Sequence, residues 1–158
     1  MTTHSPPRIL VDELERAGIS YELIPHHRTD TAVGEARALS VPPSQVAKTI
    51  VLVTPAGFVR AVLRASARLD LRKVRTILGT HDVRLATEDE LAGAYPDFEL
   101  GAVPPLALAD GDRVLLDIRV CGSDDVLLEA GTHEQSLRIS TSDLLELAQP
   151  TVADICEH

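Results

Sequence analysis

Apolar positions along the chain alternate between a period of two and a period of three to four, and the changes of period mark its elements. The densest stretch is Gln45 to Leu63, Q-V-A-K-T-I-V-L-V-T-P-A-G-F-V-R-A-V-L. Two β-branched-rich runs, Thr49 to Thr54 and Phe58 to Leu63, flank Pro55-Ala56-Gly57 and predict a β-hairpin, with Gly57 supplying the positive φ of a bulged turn. Upstream, Ile9, Leu10, Leu14 and Ala17 at helical spacing, between Pro6-Pro7 and Gly18, predict a helix over Arg8 to Ala17. Ile19 to Ile24 alternates as a strand, and Asp30 or Thr31 stands where it can cap a helix through Ala32, Ala36 and Leu39, closed by Pro42-Pro43.

Downstream of the hairpin, Leu69, Leu71, Val74, Ile77 and Leu78 mark a helix ending at Gly79, and Asp82 to Ala86 fits a short strand. Thr87-Glu88-Asp89-Glu90 reads as a capping box opening a helix from Glu88 to Ala94. Strand-like runs follow at Val114 to Val120, Val126 to Ala130 and Ser136 to Ile139, and Ser140-Thr141-Ser142-Asp143 opens a last helix through Leu144, Leu145, Leu147 and Ala148. Helices and strands are interspersed without a regular βαβ rhythm, so the expected fold class is α+β, one domain built on a mixed sheet.

Length and charge narrow the function. A chain of 158 residues without a long linker is expected to fold as a single domain over 1–158. No run approaches the roughly 18 apolar residues of a membrane span, and Met1 to Pro7 is polar, so the expected location is cytoplasmic, with no membrane partner. Cys121 and Cys156 lack metal or disulfide spacing and read as small buried hydrophobes. A net charge of −9 disfavours a protein that wraps nucleic acid. Arg60, Arg64, Arg68, Arg72, Lys73 and Arg75 nevertheless form a basic island broken only by Asp70, which suits contact with a small part of an anionic partner or, equally, a solvated face.

Candidate chemistry is sparse. There is no G-x-S-x-G, no P-loop and no G-x-G-x-x-G, so neither a serine nucleophile nor a nucleotide cofactor has local support. The histidines lack H-x-x-x-H spacing, so no metal is expected, although His26 after its strand can line a pocket; a metal-dependent hydrolase using His26, His27 or His133 is the third-ranked class. Lys48 is the oddest residue, one of two lysines among fifteen basic residues, at the entrance of the most apolar strand. Alternation puts it on one face with Ile50 and Leu52, where it is either a gatekeeper charge or an anchor for one anionic group. Gly101-Ala102-Val103-Pro104-Pro105 is a stiff loop whose Gly101 or Ala102 backbone N–H can approach a ligand, the kind of donor an ester hydrolase without a side-chain nucleophile needs.

Taken together, Ala47-Lys48-Thr49-Ile50, Leu69-Asp70-Leu71-Arg72-Lys73-Val74, the G-x-x-x-P loop Gly101 to Pro105, Glu129-Ala130-Gly131 and Val152-Ala153-Asp154-Ile155 resemble the YbaK/prolyl-tRNA-editing-domain superfamily. Their order and spacing cover roughly Ile9 to Ile155. The resemblance implies a curved mixed β-sheet with flanking helices, no cofactor, and trans-editing deacylation of a small amino acid mischarged on tRNA, a proline tRNA being one candidate. It also implies the site. Lys48 would anchor the terminal adenosine phosphate and Gly101 would place the ester, with His26, Thr49, Ile50, Ala102, Pro105, Ala130 and Gly131 around the substrate. The implied partners are the 3′ end of an aminoacyl-tRNA and, as a further candidate, an aminoacyl-tRNA synthetase. A non-catalytic binder of tRNA ends or of a synthetase, with the same pocket, is the competing reading. Ala130 stands where the cysteine-removing branch has serine, and His26 near that branch's tyrosine.

Overall fold

A computed structural model describes residues 6–106 and 112–158. Met1 to Ser5 and Ala107 to Gly111 lie outside the described residues, and with them most of the polar N-terminus. The hairpin forms as expected, strand β2 (Ala47–Thr54) against β3 (Gly57–Arg64), with Thr54 opposite Gly57 and only Pro55-Ala56 between. β3 then pairs in parallel with β5 (Arg113–Asp117), and β5 with β8 (Thr151–Ala153), while the short β4 (Arg84–Leu85) joins the far edge of β2. A second, antiparallel sheet runs β1 (Glu22–Pro25), β7 (Gln135–Ser140), β6 (Asp125–Glu129). The two sheets meet where Val46 bridges Leu127 in parallel, so the sheet is mixed and the class is α+β.

Helices α1 (Arg8–Arg16), α2 (Ala32–Ala38), α3 (Leu71–Leu78), α4 (Glu88–Ala94) and α5 (Thr141–Ala148) flank the strands. Their starts follow local chemistry. Thr31 accepts from Gly34 N, Asp70 from Arg72 and Lys73 N, and Ser140 from Asp143 N, while Thr87 and Glu90 complete the capping box read from the sequence. The run expected as a strand from Val114 to Val120 stops at Asp117, because the Asp117 carboxylate caps Arg119 N and turns Ile118–Gly122 into a 3₁₀ segment. Asp117 also accepts from Ile155 N at 3.1 Å, and Asp154 is held by Lys73 at 2.8 Å and Arg119 at 3.1 Å. The stretches Leu69 to Val74 and Val152 to Ile155, distant in sequence, therefore meet in space, through Asp70 N to Ile155 O and Glu157 N to Arg68 O.

The basic island is not one surface. Arg60 is only 1% exposed. Its guanidinium donates to Pro104 O at 2.7 Å and Leu106 O at 2.6 Å, meets Asp112 at 3.2 Å, and stacks 4.7 Å from the Tyr95 ring centroid. Tyr95 donates to the same Asp112, and burial together with that bond pushes its hydroxyl up to about 12, so it stays a donor. Lys73 is tied to Asp154 and Cys156 O, and Arg75 to His81 O and Val83 O. The spacing of arginines along a strand and helix could not show that one of them points inward.

Removing the Arg60 charge leaves two carbonyls without their donor and takes from Asp112 its cationic partner, leaving it the Tyr95 hydroxyl, in a nearly dry setting. Arg60→Met is expected to lower the unfolding free energy by about 3–5 kcal/mol, the usual cost of breaking a buried pair from one side. Urea titration checks it, and a loss inside ordinary surface-mutation noise would contradict the role.

Candidate functional site

The candidate site is a gap in strand pairing, or notch, beside β2. β6 flanks β2 only near the Val46 to Leu127 bridge and ends at Glu129, while β4 begins at the row of Leu52 and Leu85. Between them the edge of β2 is left to loops. Val51 O accepts from Ala86 N across that edge, so alternation turns the peptide groups of Thr49 toward the same side. The turn 130–134 and the segment around Gly101 close the far end, through Glu99 N to Gly131 O at 2.9 Å and His133 Nε2 to Leu100 O at 2.5 Å.

Side-chain directions along β2 decide where Lys48 lies relative to the loop. Val46, Lys48, Ile50 and Leu52 share a face, where Val46 packs with α2 and Leu127, and Ile50 and Leu52 with Leu63, Val74 and Ile155. Val51 lies on the other face, against Tyr95 and Val103. Lys48 and the Gly101 to Pro105 loop therefore lie on opposite faces of β2, and Leu52 is fully buried in the core. Lys48 is partly buried. Burial draws its ammonium below the ordinary lysine range; the Cys156 thiol opposes that shift and the Arg68 charge adds to it.

The loop is fixed from beneath and open at one residue. Gly101 is exposed at φ +80°, whereas Ala102, Val103, Pro104 and Pro105 are buried. Ala102 N donates to Glu99 O at 3.0 Å, which makes Gly101 rather than Ala102 the candidate donor to a ligand. A Cβ on Gly101 would stand 3.5 Å from the His133 ring, ordinary contact, but in a backbone region that side chains disfavour. Gly131 is constrained twice, by φ +87° and by Pro7 and Phe98 carbons 2.7 and 2.8 Å from where its Cβ would lie. Ala130 and Gly131 are both buried and shape the turn behind the notch. Of the residues named from the sequence, the structure thus leaves Gly101, Lys48, Thr49, Ile50 and His26 at least partly accessible, and sets Ala102, Pro105, Ala130 and Gly131 behind them.

Beside the notch lies a polar cluster that sequence reasoning missed. His26 holds Ser136 Oγ at 3.0 Å by Nε2 and the His27 carbonyl at 2.7 Å by Nδ1, and Ser136 Oγ reaches Glu35, which is fully buried. The Glu35 carboxyl lies against that of Glu129, itself 6% exposed. His133, 5% exposed, donates from Nε2 to Leu100 O, while its buried Nδ1 stands 4.0 Å from Glu129 Oε2. Burial raises both carboxyl groups well above the ordinary range, and the neighbouring Glu35 lifts Glu129 further. Glu35 had no sequence signal beyond a charge in an otherwise small-residue helix, and the pairing needs residues about a hundred positions apart.

The sign of the resulting pH dependence is fixed. An acid raised on folding stays protonated where the unfolded chain has ionised, so its contribution is complete below the ordinary carboxylate range and is lost as pH rises through the raised values. Glu129→Gln should flatten the fall in melting temperature on the alkaline side of that range, and an unchanged slope would contradict the shared burial.

Three comparisons with known proteins bear on the family and the fold. Residues 26–147 match the aminoacyl-tRNA editing domain family. A proline–tRNA ligase of Xanthomonas campestris pv. campestris is 30% identical over 146 residues, 88% of this chain and 24% of the ligase, so the chain spans about a quarter of the length of that relative. The multifunctional Ser/Thr-tRNA deacylase ProXp-y of Escherichia coli is 26% identical over 155 residues, 92% of this chain and 89% of that protein. Among solved structures, a candidate trans-editing enzyme for prolyl tRNA synthetase superposes with a TM-score of 0.89 at 28% identity, covering 99% of this chain and 100% of that one. With the match running over residues 26–147, well over half of its length, the chain belongs to the aminoacyl-tRNA editing domain family.

Proposed function

We propose that this protein is a hydrolase that cleaves the ester joining a small, wrongly attached amino acid to the 3′ end of a tRNA, acting in trans, with a proline tRNA as one candidate substrate. The observation that carries the reading is the notch itself, with a free strand edge at Thr49, an exposed glycine at a stiffened loop and a partly buried lysine on the opposite face. A relative of nearly the same length is a Ser/Thr-tRNA deacylase, which supports a freestanding deacylase acting on small amino acids. Likeness to part of a proline–tRNA ligase supports work alongside a synthetase.

An aminoacyl ester is already activated, so the reaction needs position more than nucleophilic power. Water oxygen adds to the carbonyl carbon, the bond to the ribose oxygen breaks, and the proton lost by the water is balanced by the one the ribose oxygen gains. Holding water, carbonyl and ribose together supplies up to about 7–11 kcal/mol of such a barrier in well-oriented systems. The Gly101 N–H is the donor offered to the carbonyl oxygen as it becomes an oxyanion, the role in which a fixed backbone dipole contributes most. Lys48 anchors the terminal phosphate from the other face. Only the terminus enters, which lets a chain of net charge −9 act on RNA.

Mischarged tRNAs carrying alanine, serine, threonine or cysteine, incubated with the protein, should release amino acid for at least one of them; saturable binding without release would instead identify a non-catalytic binder of tRNA ends. Lys48→Ala should raise KM with a smaller effect on kcat, and equal kinetics would remove Lys48 from the site. Gly101→Ala keeps its N–H but strains a backbone at φ +80°, and the displaced donor should lower kcat by about tenfold or more, short of the ~10²–10³ that outright loss of an oxyanion donor costs, while a fully active variant would remove the loop from the chemistry.

A further inference from the structure

The cluster beside the notch has more proton-bearing groups than hydrogen-bonding arithmetic can leave unlinked. His26 Nδ1 faces the His27 carbonyl at 2.7 Å; a carbonyl only accepts, so Nδ1 carries a proton. Nε2 faces Ser136 Oγ at 3.0 Å, and the hydroxyl has one proton to give, either to Nε2 or to Glu35. If Ser136 donates to Nε2, the imidazole is neutral and Glu35 must hold a proton and donate it to Ser136. If Ser136 donates to Glu35, the carboxyl oxygen it meets carries no proton, as in the ionised carboxylate, and Nε2 must carry one, which makes the ring an imidazolium. The two arrangements contain the same number of protons, and one becomes the other when the Glu35 proton passes to Ser136 Oγ and the Ser136 proton to Nε2.

We propose that Glu35, acting through Ser136, is a positioning residue that sets the charge of His26 at the mouth of the notch, with Glu129 deciding whether Glu35 is ionised. The string is buried at its carboxyl end and partly open at its imidazole end, so the charge chosen inside is presented where the substrate arrives. Two carboxyl groups in contact away from water hold at least one proton between them, which agrees with the upward shift of both. The groups facing the pair are His133 from the turn and Glu99 from the preceding loop, with Arg28 meeting Glu99 at 3.3 Å. The link does not depend on the deacylase reading. Its use does, because an imidazolium beside the notch helps hold an anionic RNA terminus, whereas a neutral ring does not.

Isosteric substitutions at the two carboxyls should drive His26 in opposite directions. In Glu35→Gln the new side chain turns its oxygen to protonated Glu129 and its amide to Ser136, which then donates to Nε2 and keeps the ring neutral. In Glu129→Gln the new amide donates to Glu35 without giving up a proton, keeps Glu35 ionised and favours the imidazolium. Ring ¹⁵N shifts of His26 at one neutral pH read the ratio of charged to neutral form. Glu35→Gln should lower that ratio and Glu129→Gln raise it, each by about tenfold, the factor a hydrogen bond to a charged group typically commands. Adding Ser136→Ala should abolish the effect of Glu129→Gln. Equal ratios in wild type and both variants, shifts in the same direction, or an effect that survives without Ser136 would each overturn the link. Should Glu35→Gln fail to fold, Glu129→Gln with and without Ser136→Ala decides it alone. Deacylation kinetics form a separate arm, in which Glu35→Gln raises KM and largely keeps kcat; an unchanged KM in an active variant contradicts the use of the link. Absence of deacylation in wild type would defeat the proposed function and leave the ¹⁵N result to judge the link.

Discussion

The buried guanidinium of Arg60 is the interaction on which the candidate site depends. It belongs to the central hairpin, yet it donates to the carbonyls of Pro104 and Leu106 and so ties the proline loop to the strand behind it. Prolines cannot donate, and a loop containing two of them has few backbone bonds with which to hold itself. Arg60 supplies the missing donors from outside, and Asp112 and the Tyr95 ring balance its charge. The loop presents Gly101 at a fixed place because the residues after it are clamped, not because the glycine is rigid.

A second constraint works at the other end of the hairpin. β2 needs a neighbour along its outer edge, and it has two partial ones, β6 at the start and β4 at the end. The space between is the notch. Its existence follows from the sheet topology rather than from any single motif, and loops instead of strands line it. That is the usual division of labour, in which regular elements hold and loops act.

Much of this fold could be read in the chain. Alternation and the Pro55-Ala56 turn revealed the hairpin, and side-chain caps at Thr31, Thr87 and Ser140 marked helix starts, because those signals are local. The early end of β5 was missed because the Asp117 side chain, not the apolar pattern, terminates the strand. The site was legible in part. Lys48 and Gly101 stand out by type and place, but their approach from opposite faces depends on how the loop packs on Val51, which no spacing encodes. Arg60 looked like surface charge, and Glu35 and Glu129 gave no sign of being buried together, since a buried acid has the same letter as an exposed one.

The most direct test of the account is where an uncleavable end of the substrate binds. A seryl or alanyl adenosine with an amide in place of the ester, titrated into ¹⁵N-labelled protein, should shift the backbone amides of Thr49, Gly101 and His26 first and most, with Lys48→Ala weakening the response. Shifts confined to the α5 side of the molecule, or none at millimolar ligand, would contradict a binding site at the notch.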